Sequence, residues 1–200
     1  MKIAATITMA LMAGAVLQAR GPEQRNQRRI AVCMEGAPGE VRGHSRILAS
    51  QIFAQIGVTI DWHTKFHCPP EGILISLRDT TPKDFLPGAL AYALPYEGVH
   101  ICVFYDRIIQ QSKSHSVPRV LAHVLVHEIT HILEYVGRHS SSGVMKAHWD
   151  EDDFRYMDRK CLPFDNEDVE LIRSGLSARA ARTLSLAEAS TTAAVTRAQE

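Results

Sequence analysis

The chain has 200 residues, enough for one domain with a core of its own. Its 22 basic and 22 acidic residues cancel, so net charge gives no reason to expect nucleic acid or an anionic membrane as a partner. The apolar fraction of 46% is ordinary for a globular protein and argues against a largely disordered chain.

The amino terminus predicts export. Met1 and Lys2 precede an apolar run from Ile3 to Leu17, and Ala19 follows as a small residue at the expected cut. This order is typical of a secretory signal peptide, which we assign to residues 1–19, with an uncleaved anchor as the alternative. The run is short for a bilayer span, so we expect no stable membrane partner. We expect a secreted or periplasmic protein, and a leader with no room for a prodomain favours a bacterial source.

The first half of the chain alternates between strand and helix patterns. Residues 20–28 are polar and predict a flexible leader. Apolar or alternating stretches predict strands at 30–34, 58–62, 72–77 and 99–105. Residues 43–56 have helical apolar spacing, and Gly57 is placed to end that helix. A weaker strand at 89–94 lies between two prolines, which cannot donate to a ladder, so we place it at the edge of the sheet.

The second half is mostly helical. Residues 117–136 predict a long apolar helix with Ser116 as its cap and Gly137 at its end. A loop follows, then a short helix at 150–157, a helix from Asp165 through Leu176, and a flexible or helical tail at 177–200. We therefore expect one α+β domain over residues 29–176. It should have a mixed, mostly parallel sheet of four or five strands, a backing helix, the long apolar helix and a small irregular C-terminal part with a terminal helix.

The cysteines do not suggest a metal site. Export would place them in an oxidising compartment. No two of them form a CxxC pair, and four cysteines allow three disulfide pairings, between which the sequence does not choose. Some of them are alternatively free thiols in the core. The four are Cys33, Cys68, Cys102 and Cys161.

An HExxH motif occupies the middle of the long helix, from His127 through Glu128 to His131. Residues four apart share a helix face, so the two imidazoles are placed to bind one zinc ion. Glu128 is then the candidate catalytic base rather than a ligand. The surrounding helix is apolar, where such side chains are costly without partners, and a metal supplies that partner. The alternative is a pair of core histidines with a capping glutamate.

A zinc site of this type needs a third protein ligand and an open position for water. His139 is our candidate, because a chain turning at Gly137 can bring it back over the helix face. Other side chains remain open as the third ligand: Glu134, His148, Glu151 and Asp152.

The stretch HEITHILEYVGRHSSSGVM resembles the active-site signature of the metzincin zinc peptidases. That family has two histidines and a glutamate on a helix, a glycine turn, a third histidine, and a methionine in a tight turn beneath the metal. The resemblance implies one catalytic zinc ion and a peptide or protein substrate. The matching positions are His127, Glu128, His131, Gly137, His139 and Met145.

The spacing departs from the family pattern. The family glycine follows the second histidine by three residues, and the third histidine follows three later. Here Gly137 is six residues after His131, and His139 is two after Gly137. We expect the helix to run nearly one turn further, by about 4.5 Å. The fourteen residues from His131 to Met145 equal the spacing of the matrix-metalloproteinase branch, so the loop is expected to regain register. We place the chain in a divergent, metzincin-like group.

The resemblance also implies where a substrate lies. An edge strand of the family pairs with an extended peptide, and Ala91, Tyr92 and Ala93 would take that role. Trp149 either shapes the primed-side pocket or anchors the lower part to the core. His123 shares the ligand stripe, and we interpret it as a core histidine rather than an outer partner of the metal. Candidates to stabilise an oxyanion are Tyr96, Tyr135, His148 and Tyr156.

Two classes of function follow. The first is a zinc metalloendopeptidase, acting as a monomer. The second is a catalytically weak or inactive zinc-binding module with a structural or partner-binding role, favoured by the irregular ligand spacing. A metal-dependent amidase acting on cell-wall peptides is a third and weaker hypothesis.

Overall fold

Five strands form one sheet in the computed structural model, which describes residues 28–197 and side chains as far as residue 185. The order across the sheet is β2-β1-β3-β5-β4. Four strands are parallel, and β4 runs antiparallel to β5 at one edge. The signal-peptide prediction lies outside the described residues. The strands are β1 (Arg29–Glu35), β2 (Thr59–His63), β3 (Ile73–Arg78), β4 (Ala91–Ala93) and β5 (His100–Phe104).

Five α-helices accompany the sheet over the described residues, with a short 3-10 turn at Lys65–His67. The α+β prediction with a mixed, mostly parallel sheet is therefore confirmed. The sequence pattern missed α2, because seven residues directly after a buried strand are too few to show a helical period. The helices are α1 (Gly39–Gln55), α2 (Tyr105–Gln111), α3 (Val117–Glu134), α4 (Glu151–Met157) and α5 (Asn166–Arg197).

The core is built around α3. Every residue from Val120 to Glu134 is buried, as expected of a helix that is apolar nearly all round. Ile52 and Phe53 of α1 are fully buried in the same cluster as Ile73 and Ile75 of the central strand β3. No helix within residues 28–197 is long and apolar enough to cross a membrane. The burial of α3 is what makes its polar side chains informative, since each one needs a partner.

The carboxyl end of α3 differs from the prediction. The helix ends at Glu134, and Tyr135 is left-handed with φ 57°, so the expected extension to Val136 and closure by Gly137 are wrong. At this position the Tyr135 ring packs against Arg182, whose Cζ atom lies 4.6 Å from the ring centre. The two extra residues relative to the metzincin spacing therefore lie in the loop that leads to His139, and not in an added helical turn.

The last helix, α5, packs directly on α3. A side chain at Gly175 would overlap the backbone carbonyl of Leu133, so glycine permits the close approach. Arg179 donates to the carbonyls of Gly98 at 2.9 Å and Glu71 at 2.7 Å. With these contacts the helix does not end at the expected Leu176 but continues to residue 197.

One disulfide is present among the described residues. Cys33 of β1 bonds Cys68, which follows the 3-10 turn, with 5.7 Å between their Cα atoms. Cys102 is a buried free thiol and Cys161 a partly buried one. The bond connects β1, which lies next to the edge strand β2, to the loop beyond β2, a pairing that sequence spacing left open.

Candidate metal centre

His127 and His131 lie on one face of α3 with matching hydrogen bonds. The Nδ1 atom of His127 donates to the carbonyl of Val144 at 2.9 Å, and that of His131 donates to the carbonyl of Val136 at 3.2 Å. A ring nitrogen facing a carbonyl must carry the proton, so both Nε2 atoms are bare lone pairs. These Nε2 atoms lie 3.0 Å apart.

His139 completes the cluster from the loop after α3. Its ring centre lies 5.2 Å from that of His127 and 5.0 Å from that of His131. One ligand atom from each of the three rings lies within 4.8 Å of the other two. The rival third ligands do not join this group over the described residues. Glu134 faces Arg138, His148 is exposed, Glu151 approaches His115 and Asp152 pairs with Arg155.

The donor set fits a zinc ion. Two nitrogens bound tetrahedrally at 2.0–2.1 Å are about 3.3 Å apart, close to the separation of the two bare Nε2 atoms. Burial lowers the pKa of His127 to about 3 and that of His131 to about 4, and it also lowers the pKa of His139. All three rings are therefore neutral at pH 7, as metal ligation requires. Three neutral imidazoles are therefore a donor set that fits zinc.

Glu128 lies beside these ligands without being one of them. It lines the same cleft as His127 and His139, and burial raises the pKa of its carboxyl group to about 8. A cation close by would lower that pKa and favour the carboxylate. A buried carboxyl group at a cleft, next to three convergent imidazoles, is suited to accepting and returning a proton.

A cleft of about 570 Å³ opens onto the site. Segment 86–91, before and into β4, forms part of its lining, and segment 146–149 forms another part. The lining is completed by His139, by Gln111 and Phe154, and by Val124, His127 and Glu128 of α3. This volume is in the range of small-ligand and peptide side-chain sites.

The edge strand β4 has free backbone groups. Its ladder to β5 uses alternate residues, with the Leu94 N–H donating to His100 at 3.1 Å and the Phe104 N–H donating to Leu90 at 2.9 Å. By the antiparallel alternation, the N–H and C=O groups of Ala91 and Ala93 face away from β5.

The three predicted substrate-contacting residues of β4 therefore differ in role. Ala91 lines the cleft, whereas the Tyr92 ring stacks on Phe85 at 5.1 Å, away from it. Ala93 has outward-facing backbone groups but is not among the residues that line the cleft.

A tight turn at residues 143–146 contacts His127 through its backbone. Gly143 is left-handed at φ 74° and accepts from the Lys146 N–H at 3.3 Å. A side chain at Gly143 would overlap the Pro163 carbonyl. Met145 within the turn is fully buried, and the adjacent Val144 carbonyl is the one that orients His127. The turn thus contacts His127 through its backbone, and a place for Met145 beneath a metal ion stays a prediction.

Trp149 contacts both the ligands and the core. Its ring is nearly perpendicular to that of His127, with centres 5.7 Å apart, and lies 6.3 Å from that of Phe154. It also lines the cleft. Its Nε1 atom is buried and has no hydrogen-bond partner within residues 28–185. The side chain therefore packs on Phe154 and also lines the cleft, and its part in a primed-side pocket stays a prediction.

His123 is a core residue with two hydrogen bonds. Its Nδ1 atom donates to the Arg119 carbonyl at 2.7 Å, and its Nε2 atom accepts from the Leu162 N–H at 3.0 Å. Burial lowers its pKa to about 4. The side chain thus ties α3 to the segment before α5 and is not aimed at the metal site, in agreement with the sequence interpretation.

The four candidates for stabilising an oxyanion lie at different places relative to the cleft. His148 lines the cleft. Tyr96 is 90% exposed and Tyr156 is 39% exposed, and neither of them lines it. Tyr135 is held beneath Arg182. The groups that sequence reasoning missed are the Val136 and Val144 carbonyls, because a backbone acceptor has no signature in residue identity.

Comparison with known proteins adds a distant structural likeness. No protein-family model matches the chain, and no curated protein matches it. The solved structure of archaemetzincin from Methanopyrus kandleri is similar at a TM-score of 0.48 with 17% sequence identity, over 80% of this chain and 99% of that one.

Proposed function

We propose that the protein is a secreted zinc-dependent metallohydrolase that cleaves peptide bonds as an endopeptidase. The observation that carries the proposal is the convergence of three neutral histidine nitrogens, with His127 and His139 lining an open cleft together with the Glu128 carboxyl group. The Cys33–Cys68 disulfide supports export, because such bonds persist in oxidising compartments.

In the proposed reaction, the side chains and backbone carbonyls of the protein have distinct roles. Zinc, when bound, supplies Lewis acidity that polarises a carbonyl group and acidifies water. Glu128 takes the proton of the attacking water and returns it to the leaving amine. The Val144 and Val136 carbonyls keep the Nε2 atoms of His127 and His131 directed at a common point. The rings of His127 and His131 are therefore oriented before the metal binds, so little reorganisation of these two side chains is needed during the reaction.

A peptide substrate is supported by the edge strand. The outward N–H and C=O groups of Ala91 and Ala93 are unpaired within the sheet and can add an extended strand by β-augmentation. Ala91 lies at the cleft that contains Glu128 and His127, so a peptide paired there would run past the site. Main-chain pairing of this kind favours a polypeptide over a compact small molecule.

The test combines metal content with digestion. The wild-type chain should bind one zinc ion by mass spectrometry and digest casein or gelatin in a chelator-sensitive manner. Glu128→Gln, which keeps the shape of the side chain, should retain the zinc and lose roughly 10²–10⁴-fold in rate. Glu170→Gln is a matched control at an exposed position of α5, where Glu170 pairs with Arg173 and does not line the cleft.

The outcomes separate the two function classes. Zinc binding with no chelator-sensitive digestion of any substrate would favour the zinc-binding module. Digestion by Glu128→Gln at the wild-type rate would reject Glu128 as the base. Cleavage confined to small cell-wall peptides would favour the amidase.

A further inference from the structure

The loop that carries His139 is fastened on both sides of that residue. Arg138 donates from Nη2 to Oδ1 of Asp168 at 2.6 Å, and Ser140 donates from Oγ to the same oxygen at 2.6 Å. Asp168 is 1% exposed. The two chain neighbours of His139 therefore share one buried carboxylate.

Asp168 is itself held at the start of α5. Its Oδ2 accepts from the Asp165 N–H at 3.2 Å, and Oδ1 of Asp165 accepts from the Asp168 N–H at 2.9 Å. This reciprocal capping fixes the first turn of the helix. Because α5 packs on α3 at Gly175, Asp168 is held in place relative to the helix that carries the other two histidines.

The carboxyl groups around Arg138 disfavour movement of the loop that carries His139. Besides Asp168, Arg138 has Glu134 at 3.9 Å and Glu167 at 3.5 Å. The Glu134 side chain is fully buried and its two oxygens have no hydrogen bond within the described residues. Swinging Arg138 away would leave two buried carboxyl groups without their cation, which is costly.

The backbone adds a further hold on the same loop. The Ser140 N–H donates to the Met145 carbonyl at 2.8 Å, in the turn whose Val144 carbonyl orients His127. Ser140 is therefore joined through its side chain to α5 and through its backbone to the turn. Together these contacts fix the chain on both sides of a ligand that is itself solvent-exposed.

We propose that Asp168 is a positioning residue for the metal centre, which holds His139 in its binding position before the metal arrives; this rests on the proposed zinc site. A ligand on a loop that must be ordered by the metal lowers the affinity by the cost of ordering. Asp168 removes that cost without touching the metal or the His139 ring. Loss of its carboxylate should weaken zinc binding through His139 alone.

The experiment is a double-mutant cycle on zinc affinity. Zinc dissociation constants are measured by competition with a chelator for wild type, Asp168→Asn, His139→Ala and the double variant. Asparagine keeps the size but loses the charge that pairs with Arg138, and its amide nitrogen cannot accept from the Asp165 N–H as Oδ2 does. We expect Asp168→Asn to lower affinity by about tenfold, the low end for groups outside the ligand set. His139→Ala should lower it more, and adding Asp168→Asn to His139→Ala should change it no further.

Two readouts separate positioning from general stability. Cobalt bound in place of zinc should show visible absorption bands altered by Asp168→Asn relative to wild type. Asp158→Asn is the matched control, because Asp158 also accepts from a side chain and a backbone N–H, those of His115 and Ser116, away from His139. This control should lower the melting temperature and leave zinc affinity and the cobalt spectrum unchanged.

Each result has a distinct meaning. Wild-type zinc affinity in Asp168→Asn would overturn the inference, as would an equal loss of affinity in the His139→Ala background. Wild-type affinity in His139→Ala would instead show that the proposed zinc site is wrong. If Asp168→Asn fails to fold, Ser140→Ala removes one of the two bonds to Asp168, and a loss of zinc affinity there is expected, whereas no loss would overturn the inference.

Discussion

The bare Nε2 atoms of His127 and His131 lie 3.0 Å apart, and the Nδ1 proton of each ring is already donated to a backbone carbonyl. Two lone pairs at this separation repel each other, and burial disfavours protonation as a way to relieve the repulsion, because it lowers the pKa of both rings. A divalent cation between the two Nε2 atoms removes this repulsion, because each lone pair then forms a bond to the metal.

Zinc should therefore raise the melting temperature of the protein. At a zinc concentration 100 times the dissociation constant, binding stabilises the folded state by about 2.7 kcal/mol. His131→Ala should abolish most of this rise in a thermal denaturation series. His148→Ala is the control, because His148 lines the same cleft but lies outside the ligand cluster. Equal rises in the two variants would contradict the ligand assignment.

His123 should matter for stability and not for zinc. His123→Leu leaves the buried Leu162 N–H without its partner and removes the second donor of the Arg119 carbonyl, which keeps its helical bond, so we expect a loss of about 1–3 kcal/mol in the free energy of unfolding. Urea denaturation of the zinc-free protein measures it. Zinc affinity of the folded variant should equal that of wild type, and a large drop would mean that His123 supports the ligands.

The stability contribution of His115 should depend on pH. The hydrogen bond with Asp158 raises the pKa of His115 and lowers that of Asp158, and Glu151 lies 3.3 Å from the opposite ring nitrogen. A histidine whose pKa is raised by folding contributes stability that is fully present below its unfolded pKa of about 6.5. This stability is lost as the pH rises through its folded pKa. An aspartate whose pKa is lowered by folding contributes stability that is fully present above its unfolded pKa of about 3.9. This stability is lost as the pH falls through its folded pKa.

The pair is therefore most stabilising between about pH 4 and pH 6.5. His115→Gln should cost about 1 kcal/mol in that window, after discounting for the partial exposure of Asp158, and less at pH 9. Chemical denaturation of both proteins across pH measures the difference. A cost that is constant from pH 5 to pH 9 would show that the ion pair contributes nothing.

The edge-strand role of Ala91 predicts a change in substrate binding. Ala91→Pro removes an N–H that faces away from β5, so the sheet ladder stays intact while one bond to a paired peptide is lost. We expect KM to rise about 2–10-fold with little loss of stability. Tyr92→Pro removes a ladder N–H instead and should lower the melting temperature. An unchanged KM in Ala91→Pro would argue against peptide pairing at this edge.

The sequence predicted correctly those features of the fold and the site that a local residue pattern encodes. The HExxH spacing places His127 and His131 on one face of any helix, and an apolar helix gives these residues a cost that a metal offsets. Strand patterns located the sheet for a similar reason, since periodic burial is visible in residue types. The third ligand was harder, because His139 reaches the site through a loop whose path depends on tertiary contacts.

Several of the features that sequence reasoning missed depend on partners distant in the chain. Tyr135 ends α3 beneath Arg182, although Gly137 has the better local propensity for that position. The choice of Cys33 with Cys68 depends on how β1 and the 3-10 turn meet. The contacts of Asp168 with the neighbours of His139 span about thirty residues, and a capping aspartate alone does not predict them.

The most direct test of the metal centre is anomalous diffraction at the zinc absorption edge from crystals of the zinc-loaded protein. The geometry predicts one strong peak at about 2.0–2.1 Å from the Nε2 atoms of His127 and His131 and from a ring nitrogen of His139, with Glu128 outside bonding distance. A peak elsewhere, no peak, or a carboxylate such as Glu134 in place of His139 would contradict it.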